Sequence, residues 1–578
     1  MARALALCVL LAACGPAAVR PFPVTGPLLV DTDTKPVSVP CRPDPSDKEP
    51  TRQTCAPVEY VSPFVWDQVD KFVFEPLSRV LSFEHWGEAS NANSLDEVAD
   101  SAWFTNRVGD KSVTRDELVR GQCKPEDLLP PAADVKDGEW VIDHGKDNGS
   151  TPGFRVKVPG KGLYLLKADD TDEPERASAA SVIGASIYNA IGFNTSCEQV
   201  VMVKKAQLEL TPGLKLVSNG GVSSPFDDAR LDKVLASSTQ MPDHRVRLQA
   251  SKWLDGLPIG PFTYIGTRAD DPNDTVDHEQ RRELRGGRVL AAWLNHWDAR
   301  EQNSMDVWEA QDKANPRSSP GFVRHYIIDT SEIFGGDSGG AELTRRLGDT
   351  YAVDLGDTLV DLFTFGAIER PWDVRADVKG RERFHFFSAD RFDPAKWKTL
   401  YPNPAFRRMS ERDAAWMARK IAHLSPADVR ALVSAGQFQD PTDAEYILQL
   451  LLSRQRAILQ RYLTRLSPLG EVQVTAAGAI CAIDFARLRL LGPEASYRYE
   501  VVERRGTART AVPAQVRADG QVCFQPLHGA PSPAADGDPS RLVIYEVTNG
   551  TAAGPLAIHT YDLDARGTRL AGVVRASP

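Results

Sequence analysis

The sequence predicts an α+β chain, on three observations: short alternating segments with Gly-rich turns between residues 139 and 167, a strong pair of amphipathic helices over 410–466, and a return to alternation from 470 to 578. With 578 residues and 42% hydrophobic content the chain can bury more than one core, and three or four domains are expected. The net charge of -10 is spread along the chain with no basic stripe, so nucleic acid is not an expected partner.

The N-terminus reads as an export signal over 1–13. One positive charge, Arg3, precedes an apolar run from Ala4 to Leu11 that is too short to span a bilayer, and Leu11-Ala12-Ala13-Cys14 matches a lipobox. Cys14 is the expected lipidation site. Acyl chains worth about 0.8 kcal/mol per methylene would hold the protein on a membrane. Gly15 supplies no aspartate-type inner-membrane retention signal, so the expected address is the outer membrane, facing the periplasm or the cell surface. Six cysteines follow, at 41, 55, 123, 197, 481 and 523, none in the CxxC spacing of a zinc site. In an oxidising compartment the local pairs Cys41–Cys55 and Cys481–Cys523 are expected.

Residues 14–60 are Pro-rich and read as a tether; 61–135 form an N-terminal extension with a helix near 66–83 and a polar segment, 91–107, whose Trp103 and Phe104 should pack on the next domain. Over 136–260 strands are expected at 139–142, 153–158 and 163–167, then a helix with Pro174 near its start and Gly192 past its end, then strands at 198–204 and 246–254. The result is a small, mostly antiparallel sheet with one helix after its third strand. Helices should dominate 261–468, interrupted by strands at 307–310 and 322–328, and 469–578 reads as a β-sandwich.

The chemistry-bearing motif lies between Leu294 and Met305, where His296, Asp298 and Asn303 take the spacing H-x-D-x-x-x-x-N. An aspartate there orients or deprotonates an attacking hydroxyl, and an asparagine five residues on can hold a magnesium ion on phosphates. The second following strand delivers Asp329 at its end, as a metal ligand would be. Upstream, the third strand ends at Lys167, and Glu175 opens the next helix as a possible ion-pair partner.

On these residues the stretch 139–466 resembles the protein-kinase-like fold, in an atypical branch similar to HipA, CotH and the secretory-pathway kinases. It is also similar to lipoproteins of GC-rich bacteria that carry the stretch 266–285. The resemblance implies a two-lobed architecture, a sheet lobe plus a helical lobe, with ATP and magnesium as cofactors. Lys167 would meet the phosphates, Asp298 would be catalytic beside His296, and Asn303 and Asp329 would hold the metal. It covers rather more than half of the chain. Its implied activity is phosphoryl transfer to a hydroxyl on a protein or envelope molecule, in a compartment poor in ATP; the alternative is a catalytically inactive, pseudokinase-type binding lipoprotein.

Departures from the family pattern are specific. The nucleotide-covering loop has Gly145, Gly149 and Gly153 spaced by four, leaving backbone amides and Ser150 or Thr151 to cradle phosphate. Asp329 is followed by Thr330 and Ser331 rather than Phe-Gly, and no Ala-Pro-Glu segment appears, which argues against activation-loop regulation. His278, Arg281, Arg282 and Arg285 fall at helical spacing and read either as a solvated basic face or as one turned toward an anionic substrate. Gly336-Asp337-Ser338-Gly339-Gly340 resembles the nucleophile segment of trypsin-like proteases, but no upstream histidine has the matching context.

Overall fold

The computed structural model describes residues 22–25, 31–44, 53–75, 77, 87–109, 112–146, 151–217, 223–336, 345–370, 372, 380–384, 386–517, 520–550 and 554–576. Cys14, Gly149, Ser150 and Ser338 lie outside them. The fold is mixed α+β, and the chain divides into two compact units, one from 30–92 and 98–465, the other from 1–29, 93–97 and 466–578.

The larger unit holds a six-stranded sheet of β1 (Trp140–Gly145), β2 (Gly153–Val158), β3 (Gly162–Ala168), β4 (Glu198–Val203), β5 (Leu208–Leu210) and β6 (Val246–Lys252), in the order β4-β6-β3-β2-β1-β5. Only β1 and β5 pair parallel. Alternation is visible in β2, where Phe154, Val156 and Val158 enter the core beside Leu166 and Leu248. The turn into β3 uses Gly160 and Gly162, both at positive φ.

Helix α1 (Arg176–Ile191) follows β3 and ends at Gly192, φ 140°. A Cβ on Gly192 would lie 2.3 Å from the Phe104 ring, so only glycine fits. The sequence marks one apolar face, yet all sixteen residues of α1 are buried. Its Ala, Ser and Gly side chains are small enough to be packed on every side. In the segment 61–83, a helical turn over Phe64–Val69 runs on as a π-helix over Asp70–Phe74, and 78–83 lies outside the described residues.

Helix α2 (Arg282–Leu294) leads to a hairpin of β7 (Ser304–Ala310) and β8 (Gly321–Ile327), paired Ser304 to Ile327 through Ala310 to Gly321. The expected helix pair is three helices: α3 (Glu411–His423), α4 (Pro426–Ser434) and α5 (Pro441–Tyr462). Ser425 closes a capping box with Asp428 and Pro426 occupies the first turn, which starts a new helix where periodicity alone reads through. Helices are also fewer than expected before residue 410: apart from Leu355–Thr364 and Pro404–Arg407, the described residues of 345–410 are mainly turns and irregular backbone.

The basic residues His278, Arg281, Arg282 and Arg285, before and within the first turn of α2, form neither a solvated nor a substrate-facing surface. His278 Nε2 lies 2.7 Å from Asp274, Arg281 pairs with Asp31 at 3.1 Å, and Arg282 and Arg285 meet Asp413 at 3.2 and 3.5 Å, all buried. Trp103 stacks on His325 at 3.5 Å and carries the Arg281 guanidinium at 5.0 Å, so the 91–107 segment does bury its aromatics.

In the smaller unit β9 (Leu469–Val474), β10 (Ile480–Asp484), β11 (Glu500–Arg505), β12 (Ala508–Val512), β13 (Ala514–Val516), β14 (Gln521–Phe524), β15 (Leu542–Thr548), β16 (Leu556–Asp562) and β17 (Thr568–Arg575) form two antiparallel sheets, β9-β10-β14-β13 and β12-β11-β15-β16-β17. Both contribute to one apolar core, including Ile480, Val522, Val501, Tyr545 and Ile558. Residues 93–97 are built into it: Val573 N–H donates to Ser94 O at 2.7 Å and Arg575 Nε to Asp96 at 2.6 Å.

Disulfides join Cys41–Cys55 and Cys481–Cys523, as expected, and also Cys123–Cys197. No helix among the described residues is long and apolar enough to cross a membrane.

Candidate functional site

The hairpin positions the motif. Asn295 ends α2 in the left-handed conformation, φ 53°, and His296 N–H donates back to Ala291 O at 2.8 Å, turning the chain into the loop that carries His296 and Asp298. A single 3₁₀ turn, Glu301–Asn303, then feeds β7. Because Ser304 pairs with Ile327, the residue before β7 and the residues after β8 share one end of the hairpin, and Ile328 N–H donates to Asn303 O at 3.0 Å. Asp329 follows at once, φ 54°.

Asn303 Nδ2 donates to Asp298 twice, to Oδ2 at 2.7 Å and to the backbone O at 2.9 Å, while Asp298 Oδ1 faces Arg300 Nε at 3.0 Å. Asp298 is thus oriented by a residue that the motif spacing singles out. His296 Nδ1 lies 2.8 Å from the Tyr188 hydroxyl, and its Nε2 is buried with no hydrogen-bond partner among the described residues. Burial pushes the imidazole down to about 4, only partly opposed by the Asp329 charge, so at neutral pH the ring is neutral.

Asp329 reaches across to the six-stranded sheet, where Lys167 Nζ donates to its Oδ1 at 2.7 Å; Ser331 Oγ donates to the same oxygen at 2.8 Å. The Lys167 side chain is 5% exposed and that of Asp329 40%. Burial opposes both charges. The Lys167 ammonium and then the Ser331 hydroxyl hold the carboxyl well below the usual range, and Asp329, with Glu198 and Glu332 behind it, lifts Lys167 above an ordinary lysine.

Glu175 does not pair with Lys167. It sits ahead of α1 with φ 67°, its carboxylate accepts the Gln439 N–H at 3.2 Å, and Arg383 lies 3.5 Å away. The acids that act on Lys167 besides Asp329 are Glu332 and, more strongly, Glu198, in β4, bonded to Ser181 at 3.2 Å and Gln249 at 3.0 Å. The sequence signal of Glu198 is an acid opening a strand whose last four residues are apolar. Gly153 is also a strand residue rather than part of a loop. It pairs with Lys167 across β2 and β3, and a Cβ there would lie 2.4 Å from Leu166 O, so it is needed for strand approach. Thr151 O accepts Lys146 Nζ at 2.7 Å, and the Lys146 charge also acts on Asp329.

No group of three or more His, Cys, Asp or Glu among the described residues is arranged to hold a metal. The residues that could hold a hard cation at this hairpin end are Asn303, through Oδ1, and Asp329, through its carboxylate, since magnesium commonly takes one or two protein oxygens and completes its shell with water and phosphate. Of the residues singled out from sequence, Lys167, Asp298, Asn303, Asp329 and His296 come from three segments of the chain, and Glu175 is turned toward Gln439.

No family model and no curated protein matches the chain. Among solved structures it is similar to the crystal structure of the golgi casein kinase, at 11% identity and a TM-score of 0.21 over 69% of this chain and 96% of that one. A second is the crystal structure of the Golgi casein kinase with Mn/ADP bound, at 12% identity and the same TM-score over 69% and 95%. At that TM-score the likeness carries no weight for fold or function.

Proposed function

We propose that the chain is a lipid-anchored envelope protein with a two-lobed, kinase-like ATP and magnesium site that transfers a phosphoryl group to a hydroxyl on a protein or envelope molecule, and that it carries a C-terminal β-sandwich. The observation that carries this reading is the Lys167–Asp329 pair at 2.7 Å, next to the hairpin end where Asn303 orients Asp298. Lys167 and Asp329 neutralise each other as they stand; a nucleotide's phosphates would take the ammonium, and a cation the Asp329 and Asn303 oxygens. Bound ATP would supply the phosphoryl group. Asp298, held by Asn303 and Arg300, would orient the acceptor hydroxyl and receive its proton. Neutral His296 brackets the loop from inside and takes no proton near pH 7.

The test is incubation of the purified protein with labelled ATP and magnesium or manganese beside Asp329→Ala. Metal-dependent binding or transfer that disappears in the variant supports the reading; no thermal shift with any nucleotide and metal would sink it. For the anchor, metabolic labelling with a radioactive fatty acid should mark the parent and not Cys14→Ser, and equal labelling of both would refute it.

A further inference from the structure

A cavity of about 730 Å³ opens on the larger unit, and neither Lys167, Asp298, Asn303 nor Asp329 lines it. Its walls are the end of β6 with the turn after it, the β7–β8 hairpin, and the loop that the Cys123–Cys197 disulfide staples to the start of β4. Three carboxylates face it, and each is taken. Lys252 pairs with Asp127 at 2.5 Å, Arg324 grips Glu309 through two hydrogen bonds of 2.6 and 3.2 Å, and Asp255 is shared by Lys252 and Lys124 at 3.7 and 3.9 Å.

Two further cations remain. Arg107 and Lys313 line the cavity with no carboxylate in ion-pair range among the described residues. Arg107 is held in place by its Nη1, which donates to Asn189 O at 3.0 Å and Phe193 O at 3.2 Å. Burial first, and then the neighbouring Arg324 charge, lower it to about 10. Five cations, Arg107, Lys124, Lys252, Lys313 and Arg324, line the cavity against three carboxylates, Asp127, Asp255 and Glu309, so even with Glu309 serving Arg324 the lining carries a positive excess that an incoming anion would offset. At the same cavity Trp253 is 43% exposed, with the Arg155 guanidinium 5.1 Å from its ring. An exposed aromatic ring and a few charged groups lining one cavity are a common make-up of a small-molecule site.

We propose that this cavity binds a small organic anion, a carboxylate or phosphate carried next to a flat apolar group, with Arg107 and Lys313 taking the charge and Trp253 the flat part. Arg107 is already positioned by its two backbone carbonyls, so its share of the site needs little reordering.

Calorimetric titration of the intact protein tests it, with phenyl phosphate and benzoate as probes and phenol as the uncharged control. At least one anion should bind with one-to-one stoichiometry and phenol should not; which of the two binds assigns phosphate or carboxylate. Lys313→Glu, an exposed change that leaves folding alone, should weaken binding roughly tenfold, as should Arg107→Gln. Lys167→Met should leave it within about twofold, since that residue lies outside the cavity. The proposal is overturned if neither anion binds at about 10 mM, if phenol binds as well, if both cavity variants bind like the parent, or if Lys167→Met abolishes binding.

Discussion

Replacing Asp329 with asparagine should cost more stability than replacing Lys167 with methionine, although both delete the same ion pair. With 5% of the Lys167 side chain exposed against 40% of Asp329, Asp329→Asn strands an ammonium inside the protein. Removing one partner of a fully buried pair costs about 3–5 kcal/mol. Glu198 and Glu332 also face that ammonium, and water already screens the exposed half of the pair, which brings the expectation to about 2 kcal/mol. Methionine keeps the volume of the lysine stem and leaves a carboxylate that water reaches, at a cost below about 1 kcal/mol. The double variant, with no stranded charge, should resemble Lys167→Met rather than the sum of the two. Urea unfolding at pH 7 reads all three. Since the pair depresses the Asp329 pKa, its contribution is complete above about pH 4 and is lost only as pH falls toward the folded-state value. A Lys167→Met variant less stable than Asp329→Asn, or strictly additive losses, would refute the reasoning.

Burial, and then Asp31, push Asp33 up to about 7, so the folded state keeps a proton that the unfolded chain releases near pH 4, and stability falls as pH rises between those values. Asp33→Asn keeps an acceptor for the Ala102 N–H and should flatten the slope of Tm between about pH 4 and 7; an unchanged slope would remove Asp33 from the account. The His296 ring, held near 4, should show no NMR titration above about pH 5, and a midpoint near 6.5 would contradict its burial. Opening the Cys123–Cys197 bridge, which spans 74 residues, by Cys123→Ala with Cys197→Ala should lower unfolding free energy by about 4 kcal/mol in denaturant titration, and a loss under about 1 would mean that the loop is held by packing alone.

Sequence alone resolved elements whose signals are local. β2 has the expected bounds because Gly153 and the Pro159-Gly160 turn punctuate a clean alternation, and Gly192 marks the end of α1 through its positive φ. The loop from His296 to Asn303 was legible because its spacing is fixed by a single turn. Partners supplied from far along the chain were not. Which acid serves Lys167 depends on β6 lying between β3 and β4, so that Gln249 faces both Lys167 and Val200 and brings Glu198 near; Glu175 is adjacent in sequence but turned toward Gln439. Helical spacing grouped Arg281, Arg282 and Arg285 correctly, but their acids, Asp31 and Asp413, are about 130 residues or more distant, so an internal charge network read as a surface.

The five residues 93–97 alter what a domain boundary means in this protein. The smaller unit takes its body from 466–578, yet Arg575, whose Nη1 also donates to Ser467 O and Leu469 O at 2.6 Å, needs the Asp96 carboxylate, and the Tyr561 hydroxyl donates to Phe22 O. A fragment beginning at 466 would carry a buried guanidinium without its counter-ion and an edge without its partner. Residues 22–25 and 93–97 precede the strands they dock on by several hundred residues, so the smaller unit closes only once both segments are present. Loop closure over several hundred residues makes that step slow, and truncation at the C-terminus would leave an N-terminal remnant exposed as well.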